Sequence, residues 1–192
     1  MNEPDFAAQE STVVKETIQH LESFAEENPD ELLSHFAFDC NPDFGSILLC
    51  LDTQENSIAV AKETEQYTTQ IRASRLAYED EHCIEYAINT IRNQTSGPVV
   101  PFNNNTGDFE HQGFADVDFD DWQTYRFSDD YPGEFDGSGE DYLQSKVAIM
   151  LSRVVDQLVS CDAFACLNKT QPFLVSVGFH DGTHLVIRII NW

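Results

Sequence analysis

His35-Phe36-Ala37-Phe38-Asp39-Cys40, followed by Asn41-Pro42-Asp43-Phe44-Gly45 and then Ile47-Leu48-Leu49-Cys50-Leu51, is the stretch that decides the fold. Between Leu33 and Cys40, the residues Phe36, Phe38 and Cys40 recur at period two among smaller or polar neighbours, the spacing of a strand. Asn41 to Gly45 is dense in turn formers. Ile47 to Leu51 is then almost continuously apolar, as in a strand buried on both faces. Together they predict a β-hairpin with its second strand sandwiched between layers.

Working outward, the chain closes on a second hairpin. Phe173, Val175, Val177 and Phe179 alternate, His180-Asp181-Gly182-Thr183 turns, and Leu185, Ile187 and Ile189 alternate again. Asp-Gly between alternating strands is a strong hairpin signal, because both turn positions need positive φ. Helical periodicity fills much of the rest. From Asp5 to Glu27, Val14, Ile18, Leu21 and Ala25 form a stripe that ends at Asn28-Pro29. Ser57–Ala61 reads as a short strand or the lead into a helix, and Tyr67–Arg92 as a helix. Ser138–Cys161 is helical again, with Tyr142, Val147, Ile149, Met150, Val154, Leu158 and Val159 on its apolar face and Ser138 or Ser145 as its cap. Gln94–Asn105, with Gly97-Pro98 and Pro101, reads as loop. This order predicts an α+β fold: a single antiparallel sheet of four to six strands, with long helices packed mainly on one face. Residues 1–192 are read as one domain carrying an acidic-aromatic insert at about 108–141.

The composition narrows the function. Thirty-four Asp and Glu against ten Lys and Arg leave a net charge of -24 on 192 residues. Such a chain repels phosphate backbones and anionic membrane surfaces, so direct nucleic-acid binding and membrane binding are both excluded as expectations. Its natural complement is a basic macromolecule. No run of about 18–20 apolar residues suggests a membrane span, and the acidic start Met1-Asn2-Glu3-Pro4-Asp5 does not read as a signal peptide. Five cysteines without a C-x-x-C pair read as mostly buried free thiols in a reducing cytosol, so a cytoplasmic location is expected.

No catalytic spacing stands out. The sequence holds no nucleophile elbow, phosphate loop, zinc-protease helix or dinucleotide fingerprint, so no catalytic residue, cofactor or enzyme activity is assigned. His180 and His184, with Asp181 between, are better read as a polar turn than as metal ligands. Asp116-Val117-Asp118-Phe119-Asp120 opens like a calcium loop, but it lacks the glycine at the sixth position and has Phe127 at the twelfth, so no metal is expected.

Residues 108–141 are the most biased segment. Twelve acidic residues face one base, Arg126, for a local charge of -11, and eight aromatic residues are interleaved with them. Acid alone would read as a solvated tract, whereas acid with this many rings reads as an ordered surface whose rings dock on the body or on a partner. The candidate partner-binding residues are Asp116, Asp118, Asp120, Asp121, Trp122, Tyr125, Asp129, Asp130, Tyr131, Glu134 and Asp136.

Three pieces of the chain resemble small acidic bacterial proteins encoded beside polymorphic toxins, many read as immunity proteins. They are His35-Phe36-Ala37-Phe38 with its turn and second strand, Ile71-Arg72-Ala73-Ser74 entering a helix, and the ending from Phe179-His180-Asp181 to Arg188-Ile189-Ile190-Asn191-Trp192. The resemblance covers about half of the chain and brings no catalytic motif. It implies a cytosolic, non-enzymatic inhibitor that binds and neutralises a basic toxin domain, for instance a nuclease. The charge alone also fits a nucleic-acid mimic that blocks a DNA-binding or defence protein.

Overall fold

Period-two alternation and a proline-glycine turn do produce a hairpin here, and the rest of the sheet is built on it. The structure is a computed structural model and describes residues 3–76, 103, 105–135, 140–180 and 185–190. In chain order the elements are α1 (Phe6–Glu27), β1 (Leu33–Asn41), β2 (Ser46–Thr53) and α2 (Gln54–Leu76). After a 3-10 turn at Thr106–Asp108 come β3 (His111–Asp118), α3 (Asp120–Arg126), β4 (Glu134–Phe135), β5 (Glu140–Asp141) and α4 (Tyr142–Ser160). A second 3-10 turn at Ala163–Cys166 leads into β6 (Lys169–Phe179) and β7 (Leu185–Ile190).

The fold is α+β, around a five-stranded sheet of order β3-β2-β1-β6-β7. The expected all-antiparallel sheet is corrected to a mixed one, because β1 and β6 run parallel, Phe36 beside Val175 and Phe38 beside Val177. Each hairpin is antiparallel within itself, as its short turn demands, and the two hairpins join through their first strands. That makes β1 the central strand: every residue from His35 to Cys40 is buried, so the strand sandwiched on both faces is β1 as well as β2. β4 and β5 form a separate two-stranded ladder.

One sheet face presents Phe36, Phe38, Ile47, Leu49, Val117, Phe173 and Val175 to a single core shared with α1 and α4. Each fully buried aromatic or branched side chain contributes about 1.5–3 kcal/mol by leaving water. The buried line of α1 is Gln9, Val13, Thr17, Leu21 and Phe24, so Val14, Ile18 and Ala25 flank the contact instead of centring it. On α4 the inward side is Leu143, Val147, Met150, Leu151, Val154, Val155 and Leu158, whereas Ile149 is exposed. The cap of α4 is Asp141, which accepts from Gln144 N at 3.1 Å; Ser145 instead donates to Asp141 O at 3.0 Å, and Ser138 lies outside the described residues. In β7, Ile190 is buried opposite Phe173 while Ile189 is 59% exposed, because a register shift between Val175 and Ser176 changes the phase.

The backbone divides into two compact units, one of Met1–Gln54 with Asn104–Trp192 and one of Glu55–Asn103. In the second, Ser57–Ala61 is helical, the early part of α2, and Tyr67 is exposed. The helical reading beyond Leu76, the loop before Asn103 and the turn at 181–184 lie outside the described residues. No described helix is long and apolar enough to cross a membrane. Cys40 and Cys50 are buried, but Cys161 and Cys166 are exposed, which corrects the expectation of mostly buried thiols for that pair. Cys83 is not among the described residues.

Candidate functional site

The acidic segment is built into the body of its unit. Asp116 and Asp118 sit on β3, the sheet edge, opposite Leu48 and Ser46, with Ala115 and Val117 turned inward between and before them. This alternation places both carboxylates on the sheet face away from α1 and α4. Both are exposed, as are Asp120 and Asp121 in the first turn of α3 and Asp129 and Asp130 just beyond it. Partial desolvation, then the neighbouring carboxylates Asp116 and Asp120, raise the pKa of Asp118. Among the described residues no base pairs with Asp116, Asp118 or Asp120, so this corner is an uncompensated anionic surface.

The aromatic candidates go the other way. Trp122 has 0% exposure, its ring stacked on Phe119 at 5.1 Å and its Nε1 donating to Gln9 Oε1 at 2.8 Å. Gln9 in turn donates from Nε2 to both oxygens of Asp121 at 2.9 Å, which fastens α3 to α1. Tyr125 is buried and meets Tyr131 edge to face at 5.4 Å. Tyr131 is half-buried, and its hydroxyl donates to Asp141 Oδ1 at 2.7 Å; burial first, then that hydrogen bond, push its phenol up to about 12. Trp122 and Tyr125 therefore pin the segment to its own body and have no ring surface to offer a partner. Six of the eleven candidates, the exposed aspartates, share the outer surface. Glu134 contributes its backbone to β4, and Asp136 lies outside the described residues.

Arg126, the lone base of the segment, is held by Asp43 at 2.8 Å and Asp141 at 3.1 Å, joining the end of α3 to the β1–β2 turn and the start of α4. The turn itself needs Gly45. Its φ is +72°, and a Cβ there would stand 2.2 Å from Phe119 O, while Phe119 N donates to Gly45 O at 2.7 Å.

The sheet face away from α1 and α4 also holds a buried polar set that the sequence pattern passed over. His35 Nε2 lies 2.8 Å from Ser176 Oγ, Thr106 Oγ1 donates to Asp39 Oδ2 at 2.6 Å, and Glu110 N donates to Asp52 Oδ1 at 3.2 Å. Period-two reading assigns such residues to the solvent side; only the cover on that face reveals them as interior. His35 and Ser176 have the spacing of a base and a nucleophile, yet at 1% and 0% exposure they are closed to substrate. Burial likewise raises the Cys50 thiol to about 12 and that of Cys40 well above its usual range, so neither is a thiolate near neutrality. His180, half-exposed, places Nδ1 3.7 Å from Asp39 Oδ1, an oxygen with no hydrogen-bond partner; Asp181 and His184 lie outside the described residues. Among the described residues no three His, Cys, Asp or Glu side chains come together as a metal site. Asp116, Asp118 and Asp120 are spread over a strand and a helix start, not wrapped in a loop.

Comparison with protein-family models, with curated proteins and with solved structures returns no match.

Proposed function

We propose that this chain is a non-enzymatic, cytoplasmic immunity-type protein that occludes a cognate basic toxin domain, for instance a nuclease. The observation that carries this reading is the exposed set Asp116, Asp118, Asp120 and Asp129, four carboxylates on one segment, without a described base against them. A cationic groove built to hold phosphates offers the missing counter-charges, and carboxylates can occupy it in their place. Over a Debye length of about 8 Å the attraction speeds encounter, whereas contact packing sets the lifetime of the complex.

The test is capture from the native host by the tagged protein, beside a variant with Asp116, Asp118, Asp120 and Asp129 changed to Asn. The expected result is one basic protein, held by the parent at low salt and weakly by the variant, whose toxicity the parent suppresses stoichiometrically. Association at low salt that is indifferent to neutralisation sinks the proposal. A captured DNA-binding protein whose duplex competes with this chain would instead identify a nucleic-acid mimic.

A further inference from the structure

The β1–β2 turn stands beside an open cavity of about 420 Å³, walled by Asn41, Pro42, Phe44, Gln144, Phe179 and His180. Its size falls in the range of side-chain and small-ligand pockets. Phe44, on its rim, is 73% exposed, and Phe127 is 78% exposed. Phe44 follows directly on Asp43 and Phe127 on Arg126, the two partners of one ion pair at 2.8 Å. A large ring left bare at a tight turn loses the stabilisation that burial would bring, and beside an open cavity it marks an unfilled contact.

The charges around the cavity are one-sided. Asp43 and Asp141 share the single guanidinium of Arg126. Two carboxylates against one described guanidinium, the rings of Phe44 and Phe179 and the side-chain amides of Asn41 and Gln144 together suit a planar, weakly hydrated cation with several donors. A guanidinium stacks on rings and donates in its plane; an ammonium is more strongly hydrated and does neither as well.

We propose that this cavity is the anchor of the partner interface and takes one arginine side chain of a cationic protein, its guanidinium stacked against Phe44. The inference rests on reading the chain as a binder of a basic protein, and it moves the aromatic anchor from Trp122 and Tyr125, which are interior, to Phe44. The exposed aspartates supply attraction without distinguishing one cation from another.

The experiment titrates the full chain with octa-arginine and with octa-lysine at about 150 mM salt, following Phe44, Gln144 and His180 side-chain signals by NMR. The expected result is that octa-arginine binds about fivefold or more tightly than octa-lysine and shifts those three residues. Phe44→Ala and, separately, Gln144→Ala remove that preference with unchanged melting temperature. Neutralising Asp116, Asp118, Asp120 and Asp129 weakens both peptides alike and leaves the preference intact. Equal affinity for the two peptides, or an arginine preference that survives Phe44→Ala, overturns the anchor while leaving the basic-partner reading standing. Binding of neither peptide, even at low salt, overturns the basic-partner reading and the anchor with it.

Discussion

Trp122→Ala separates a ring that holds the protein together from a ring that holds a partner. The indole is fully buried, stacks on Phe119 at 5.1 Å and donates to Gln9 Oε1 at 2.8 Å. Truncation of a buried Trp costs about 3–5 kcal/mol in transfer and cavity terms. It also leaves Gln9, only 7% exposed, with an unpaired carbonyl, a further ~1–3 kcal/mol. The two effects share one contact and do not simply add, so about 4–6 kcal/mol is expected. At about 2–4 °C per kcal/mol for a chain of this size, the melting temperature should fall by roughly 8–24 °C. Trp122→Phe keeps one ring for the stack but loses the donor and part of the buried indole, which should cost about 1–3 kcal/mol. Urea titration followed by circular dichroism measures the loss, and binding to a cationic partner is measured well below each midpoint. Affinity per folded molecule should be unchanged in both variants. A melting temperature within about 3 °C of the parent, or weakened binding by fully folded Trp122→Ala, refutes the interior assignment.

Three further outcomes are expected. Gly45→Ala forces φ of +72° on a residue with a Cβ that would sit 2.2 Å from Phe119 O, and should lose about 2–4 kcal/mol by denaturant titration, more than Phe44→Ala at the adjacent exposed position. Asp141→Ala removes the α4 cap, the Tyr131 acceptor and one Arg126 partner together, and should cost about 2–4 kcal/mol; Asp141→Asn, which can still cap, should recover part of that. Cys50 and Tyr131, both raised to about 12, hold their protons more tightly folded than unfolded, so the stability they contribute is complete below their unfolded values near 9 and 10 and drains away as pH rises toward 12. Denaturant midpoints at pH 8 and 10.5 should show the fall, with about 2 kcal/mol of it absent in Cys50→Ala; equal slopes for parent and variant would contradict that share.

The local pattern determined what depends on neighbours within a few residues. Period two across 33–51 and 173–189 specified two antiparallel hairpins, because a short turn leaves no other pairing. Period 3.6 located α1 and α4; it set the inward side of α4 through Val147, Met150, Val154 and Leu158, while the mixed stripe of α1 left its rotation off by about one residue, Val13 and Thr17 lying inward where Val14 and Ile18 were expected. The net charge of -24 was likewise legible at once, since it needs no fold to be counted. Tertiary structure alone decided how the hairpins join. The parallel contact of β1 with β6 links residues some 140 positions apart, and no short-range signal distinguishes it from an antiparallel one. The same holds for the acidic segment. A stretch dense in Asp and aromatics reads as surface, yet half of it is an edge strand and a short helix whose rings had an interior waiting for them. Which ring faces inward depends on what stands opposite. Trp122 found Gln9 and Phe119 and went inside; Phe44, in the turn that looked like mere punctuation, stayed 73% in the open.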